Sequence, residues 1–229
     1  MYDKIKTEKL LHHFAASTGG FLGGYAIVNH CDVFGNAQTT NMIKIIRDIV
    51  LGDFAGLPIL GLCFLVYVAG NIFSVIAEKL IPADLKLVSL LLTCAAVAVI
   101  GALPAISNDY LALLPIFFVT PVQWNAFINA GEYSSSTIFS TNNLRVAVTS
   151  LTAYLLTGER AERDKAKFFW ATLMFFHIGV AFSCAASMLA GTAGIWLALL
   201  PLTATALTYF YIKSKAQESK IHSRFTQSN

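Results

Sequence analysis

Apolar positions along the chain fall into long blocks, without the alternation of a sheet or the one-sided stripe of a soluble helix. Residues 54–77, 87–106, 168–190 and 194–212 are apolar on nearly every turn, and 10–34 and 110–128 are slightly more polar versions of the same pattern. Each block supplies the roughly 20 residues that a helix needs to cross about 30 Å of hydrocarbon. A soluble helical bundle would instead show a polar face. Two shorter amphipathic blocks, 42–51 and 144–157, each follow a cluster of Ser, Thr and Asn. The first, with its polar lead-in, reaches only about 21–24 Å as a helix, too short to cross. It also carries Lys44, Arg47 and Asp48; the second, counted from 137 to 157, is long enough but has Arg145 near its start. The pattern predicts an all-α, polytopic transmembrane helix bundle.

The order of blocks repeats. Placing Asn41 on Asn143 aligns Gln38-Thr39-Thr40-Asn41 with Ser140-Thr141-Asn142-Asn143, each cluster after one apolar block and before a short amphipathic block and two long apolar ones. We therefore read two internal transmembrane repeats, 10–106 and 110–212, between an N-terminal tail, 1–9, and a basic C-terminal tail, 213–229. If neither short block crosses, the chain has about six spans plus two re-entrant or interfacial half-helices, and the halves are inverted. If both cross, it has eight spans, four plus four, and the halves are parallel. The short reach of 42–51 favours six.

Composition agrees: 56% of residues are hydrophobic and 13% charged, about half the charged share of an ordinary soluble domain. Mean hydropathy is +0.63. Charge adds orientation. Lys4, Lys6 and Lys9, then Arg160, Arg163, Lys165 and Lys167, then Lys213, Lys215, Lys220 and Arg224 cluster at three places, whereas 106–109 and 190–194 carry no Lys or Arg. The positive-inside rule puts both termini and the 158–167 loop in the cytoplasm, as in a multi-pass protein of a bacterial inner membrane. The first apolar block carries Asn29, His30 and Asp32 and lacks a small-residue cleavage pattern, so it reads as a retained helix, not a signal peptide. Basic tails beside a membrane report orientation and lipid contact, so nucleic acid is not expected.

Chemistry-bearing motifs are few. Cys31, Cys63, Cys94 and Cys184 stand singly, without metal-ligand spacing. No H-E-x-x-H, G-x-S-x-G or phosphate-cradling loop occurs, so neither an enzyme, a cofactor nor a metal is expected. Glycines 19, 20, 23 and 24 read as a close helix-packing face. Asn71 and His177, single polar residues in long blocks, read as interhelical hydrogen-bonding groups. Pro121 beside Gln123 and Asn125 suggests a kink with a polar lining. His30 and Asp32 are candidates for proton handling, with a membrane-edge position as the plainer alternative.

The two polar clusters carry the functional reading. Broken or short helices at matching positions of two repeats point to a transporter's binding site, and free N–H groups at their starts, with Lys44 and Arg145 near, would favour an anion or carboxylate. The candidate substrate-binding residues are Gln38, Thr39, Asn41, Gln123, Thr141, Asn142, Asn143 and Arg145. The alternative is ordinary N-caps at the membrane surface, with Lys44 and Arg145 reaching headgroups.

"VFGNAQTTN" (33–41) resembles the F-x-x-x-Q-T-G-N signature of the YoaK-like family, bacterial multi-pass membrane proteins of unknown function. "PVQWNAFINAGEYSSSTIFSTNNLR" (121–145) resembles its second signature, in which Q-x-x-x-F leads to T-G-N-L-R. The signature glycine is Thr40 in the first copy and Asn142 in the second. Asn tolerates a left-handed backbone that β-branched Thr hardly adopts. The resemblance implies a protein of two related halves, often suspected of transport, with no known substrate. The expectation is a transporter or permease of a small polar or anionic solute, or else a non-transporting membrane scaffold or accessory subunit. Its partners would be the lipid bilayer and the solute, with self-association left open.

Overall fold

The computed structural model of the chain describes residues 2–30, 33–80, 82, 84–102 and 108–227. Apart from one small hairpin, the described elements are helical: α1 (Tyr2–Asn29), α2 (Thr39–Leu51), α3 (Leu57–Leu80), α4 (Leu85–Ala102), α5 (Asp109–Ala112), α6 (Leu114–Phe127), the strands β1 (Asn129–Ala130) and β2 (Tyr133–Ser134), α7 (Thr141–Thr157), α8 (Arg160–Ala190), a 3₁₀ stretch (Gly191–Ala198) and α9 (Leu199–Gln227). Among the described residues three helical stretches are long and apolar enough to cross a membrane: α3, α4 and the continuous run Arg160–Ser219, which holds α8 and most of α9. The segments read as tails are helical over their described residues: 2–9 extend α1 and 213–227 extend α9.

Local signals set the boundaries. Asp84 starts α4 by accepting from the Lys86 N–H at 3.0 Å, and Asn108 starts α5 by accepting from Tyr110 and Leu111, as N-cap residues do. Pro115 sits in the first turn of α6, where its missing N–H costs nothing. Helices α2 and α7 both end on a left-handed glycine, Gly52 at φ 70° and Gly158 at φ 74°.

α1 is the centre of the bundle: from Ala15 to Ala26 every residue is buried. It packs chiefly against α8 and α9, while α6 packs chiefly against α3 and α4. Directions follow from the contacts. Gly179 of α8 meets the Ser17 carbonyl and Asn29 bonds Ser187 Oγ at 2.7 Å, so α8 runs parallel to α1. Tyr25 bonds the Thr192 carbonyl and Thr18 meets Thr205, so α9 runs antiparallel to it. Cys63 approaches the Tyr110 carbonyl, Gly70 the Phe118 carbonyl, and Asn71 bonds Asn125, so α3 runs parallel to α6.

One end of the bundle gathers Lys9, paired to Glu132 in the hairpin at 2.8 Å, the Tyr133 ring stacked near Phe168 at the start of α8, and Asp84 paired to Lys213 at 2.6 Å. The α3–α4 turn therefore lies with Lys9 and Lys213. The other end gathers His30, Asp109 and Thr192, with Trp196 packed on Gly101. Beside a third cluster, which joins Ala130, Ala147, Phe168, Phe169 and Leu173, two apolar clusters run through the described interior. One, around Phe21, Leu22, Tyr25, Ile116 and Phe117, lies toward the His30 end; the other, around Leu11, Leu90, Phe127, Leu202 and Tyr209, lies toward the Lys213 end.

Charges at the Lys213 end are paired. Burial alone would raise the Asp84 carboxyl, but the hydrogen bond from Lys213 and that from the Lys86 N–H outweigh it and hold it below the usual carboxylate range. The Lys213 ammonium is raised by the same bond. Burial and the neighbouring Glu132 push the Tyr133 phenol up to about 12.

Candidate functional site

Two irregular segments, 33–38 and 135–140, lead into α2 and α7, and they meet beside the middle of α1. Segment 33–38 folds back along α1 from its end, since the Val33 N–H bonds the His30 carbonyl while Asn36 sits far down the helix. Asn36 Nδ2 donates to the Gly19 carbonyl at 2.8 Å and to the Ile138 carbonyl at 2.9 Å. Segment 135–140 arrives from the opposite end, out of the hairpin, where the Ser135 N–H bonds the Ile128 carbonyl. Gly19 is where both press on α1: a Cβ there would collide with the Thr137 carbonyl and crowd Gln123 Nε2. One turn on, a Cβ at Gly23 would fall 2.8 Å from both the Asn36 amide and the Phe34 ring. A glycine face of the central helix thus seats both segments, and Asn36 donates to one main-chain carbonyl of α1 and one of the second segment.

α2 and α7 begin at Thr39 and Thr141, in register with the sequence alignment. Their N-cap residues, Gln38 and Ser140, have helical backbones (φ −99°, ψ −7° and φ −105°, ψ −26°), and neither side chain makes a capping bond. This corrects the expectation of Ser/Thr caps. A capping side chain needs an extended backbone to reach the free N–H groups, and the helical turn at these positions withholds it. Asn41 and Asn143, both buried in the first turn, reach backward instead. Asn41 Nδ2 bonds Gln38 Oε1 at 3.2 Å; Asn143 Nδ2 bonds the Ser136 carbonyl at 2.7 Å, and Ser135 Oγ donates to Asn143 Oδ1 at 2.9 Å.

Gln123 ties α6 to this region. Its Nε2 donates to the Ala15 carbonyl at 2.8 Å and to Thr137 Oγ1 at 3.4 Å. Thr120, one turn earlier, donates to the Gly35 carbonyl at 3.3 Å. Four side-chain atoms around the two segments are buried without a partner: Asn36 Oδ1, Gln38 Nε2, Gln123 Oε1 and Ser140 Oγ. Native interiors rarely leave such atoms unpaired, and here four of them lie around the two segments.

The remaining candidates lie elsewhere. Thr39, Thr141, Asn142 and Arg145 are exposed, and Arg145 bonds the Asn142 side chain of its own helix at 2.9 Å. Lys44 bonds the Tyr110 hydroxyl at 3.1 Å, and Arg47 pairs with the buried Asp48. Neither flanking cation therefore faces the joint. His30 is buried and pairs with Asp109 at 3.0 Å at the end of the bundle; Asp32 lies outside the described residues. Asn71 does bond across helices, accepting from Asn125 Nδ2 at 3.1 Å, but His177 is exposed and its ring pairs with the Leu173 carbonyl of its own helix.

Asn36 is the residue at the joint that reading the motif alone passes over. Its signal is positional: it is separated from Ile138 by 102 residues, the same interval as between Asn41 and Asn143. A polar residue in one copy opposite an apolar one in the other is what a joint with a single amide clamp requires.

A family model described as "Protein of unknown function (DUF1275)" matches residues 11–208. No curated protein and no solved structure matches the chain.

Proposed function

Because the chain belongs to the DUF1275 family, a description that carries no activity, we propose from its own geometry that it is a membrane permease for a small polar solute. In this reading α1, α3, α4, α6, α8 and α9 are six spans, and α2 and α7 are half-helices that start at mid-depth. The halves 10–106 and 110–212 are an inverted duplication. The reciprocal packing supports it: the first helix of each half lies against the third and fourth of the other. So do the opposite approaches of segments 33–38 and 135–140, and the position of the α3–α4 turn at the Lys213 end. With Lys and Arg concentrated at that end, both termini face the cytoplasm of a bacterial inner membrane.

The observation that carries the proposal is the joint at Asn36. Two half-helices begin from opposite sides beside one glycine face, with unpaired Asn36 Oδ1, Gln38 Nε2 and Ser140 Oγ around them. Irregular backbone at membrane depth is tolerated where it is buried in protein or lines a path, and discontinuous helices meeting at a repeat interface are where transporters hold their solute. With Lys44 and Arg145 engaged elsewhere, the local field favours a neutral polar solute over an anion. The test is a panel of neutral polar and anionic solutes against the purified protein, scored by thermal stabilisation and then by uptake into proteoliposomes. A permease shows at least one solute that does both, and Gln38→Leu abolishes the effect while the protein still inserts and folds.

A second reading, a non-transporting scaffold or accessory subunit, is favoured by the close, glycine-rich contact between α1 and α8. It predicts that no solute in the panel stabilises the protein and that a second membrane protein co-purifies with it.

A further inference from the structure

Polar contacts between residues 2–102 and residues 108–227 differ in kind at the two ends of the bundle. At the Lys213 end they are ion pairs, Lys9 with Glu132 at 2.8 Å and Asp84 with Lys213 at 2.6 Å. Lysine and carboxylate side chains keep their charges from about pH 5 to 9. At the other end Tyr25 donates to the Thr192 carbonyl at 3.1 Å, and Asn29 Nδ2 donates to Ser187 Oγ at 2.7 Å. Lys44 donates to the Tyr110 hydroxyl at 3.1 Å, and His30 Nδ1 meets Asp109 Oδ1 at 3.0 Å. Of all these side chains, only histidine is of a type that ordinarily changes charge between about pH 5 and 8. The sequence offered Asp32 as the companion of His30; the fold supplies Asp109, from the other half.

The pair fixes where the ring's hydrogen sits. A carboxylate only accepts, so Nδ1 carries the proton and Nε2 of the neutral imidazole is bare. Nε2 is buried and has no hydrogen-bond partner. A proton taken up there becomes a buried N–H with no acceptor among the described residues, which native interiors avoid. The His30 side chain is 7% exposed and that of Asp109 31%. The carboxylate thus already touches solvent, and an outward movement of the pair wets Nε2 without breaking the Nδ1 bond. Attraction to Asp109 accompanies the ring in both arrangements, so the difference between them is the wetting of Nε2. The other groups near the ring do not supply an acceptor. Tyr25 of α1 presents its ring 5.5 Å away, with its hydroxyl engaged on Thr192. Tyr110 of α5 is held by Lys44 of α2, and Ser187 of α8 and Thr192 of the 3₁₀ stretch are neutral.

We propose that His30 is the proton-binding group of a gate between the two halves. With Nε2 bare the His30 end is closed, and a proton at Nε2 parts that end while the ion-paired Lys213 end stays shut. A ligand shifts an equilibrium by its preference for one form, and the proton prefers the form in which Nε2 is wet. In the permease reading, on which this use of the gate rests, parting the end opposite the cytoplasm admits solute. The gate itself is measured with neither solute nor flux.

The experiment uses the full chain, with its native cysteines replaced, in lipid nanodiscs at about pH 7.5 and about pH 5.5. Spin labels on Val28→Cys and Leu111→Cys, both exposed sites, span the His30 end, and labels on Lys6→Cys and Ser214→Cys span the other. On acidification the first distance should lengthen by several ångströms and the second should stay constant. His30→Asn keeps a donor for Asp109 but cannot titrate, and it should hold the first distance at its neutral-pH value. Nitrogen-15 spectra of histidine-labelled native protein should show His30 protonated at Nδ1 and bare at Nε2 at the higher pH. A first distance that ignores pH overturns the proposal, as does a pH response that survives in His30→Asn or one that appears equally at both ends. The opposite ring tautomer overturns it without any variant. A gate that answers to protons in a protein that moves no solute would overturn the permease reading and leave the gate standing.

Discussion

Asn36 donates a hydrogen bond of 2.9 Å to the main-chain oxygen of Ile138, across 102 residues of sequence. The same amide holds the Gly19 carbonyl of the central helix at 2.8 Å. One side chain therefore joins both irregular segments to α1. Replacing Asn36 with Leu removes a donor from the Ile138 carbonyl and one from the helical Gly19 carbonyl, and a buried carbonyl left without a partner costs about 1–3 kcal/mol. We expect a clear fall in melting temperature of the purified protein, and a larger one for Asn36→Asp, which brings negative charge against the same two oxygens. An Asn36→Leu protein as stable as the parent would show that the joint is held by packing alone.

The α1–α8 contact is a second point of sensitivity. A Cβ at Gly20 would run into the Phe176 carbonyl, and one at Gly179 into the Ser17 carbonyl, both main-chain atoms that cannot rotate away. Gly20→Val or Gly179→Val should cost at least the roughly 1–3 kcal/mol of overpacking and lower the yield of folded protein. Gly61 in α3 is the control, with nothing within 4 Å of its added Cβ. Gly61→Ala should be neutral or stabilising by about 0.5–1 kcal/mol, the helix-propensity difference. Equal sensitivity at all three positions would remove the close-contact argument.

Sidedness is testable with single cysteines in a background lacking the native ones. Cysteines replacing the exposed Pro82 and Ser214 should react with an impermeant reagent from the same, cytoplasmic side, and one replacing Gly191 from the other. Labelling of Pro82→Cys from outside, with Ser214→Cys inside, would establish the eight-span arrangement and sink the inverted one.

The Asp84–Lys213 pair sets a pH window. The Asp84 carboxyl is held below its ordinary range in the folded protein, so its contribution is present above the unfolded value of about 3.9 and disappears as pH falls through the folded value. Lys213 is raised, so its contribution is present below about 10.4 and disappears as pH rises through the folded value. Stability owed to this pair should be flat from about pH 4 to 10. Because Lys213 is half exposed, a double-mutant cycle of Asp84→Asn and Lys213→Met should give no more than about 1 kcal/mol. A coupling that changes steeply between pH 6 and 8 would mean another titrating group shares the site.

Several interior features were legible before any tertiary contact. The glycines at 19–24 announced close packing, and Gln38, Asn41, Gln123 and Asn143 announced buried polar groups; all four are buried. Arg145 and Asn142 carry the same motif chemistry yet lie exposed on α7. Adjacent residues on a helix point about 100° apart, so a motif names a stretch, and only the helix's rotation decides which members turn inward. His12 went unremarked because nothing local distinguishes it, yet it is buried and bonds the Phe127 carbonyl at 2.8 Å, 115 residues away.

The sequence by itself determined that the chain is helical, with long apolar helices interrupted by two shorter, more polar ones. Those properties depend on transfer of side chains from water and on backbone geometry within a few turns, both of which are local. Tertiary structure decided that segments 33–38 and 135–140 approach from opposite ends and that one asparagine bridges them. Hydrogen bonds between groups a hundred residues apart depend on helix rotation and depth, and those are set by how glycine faces let neighbouring backbones close in.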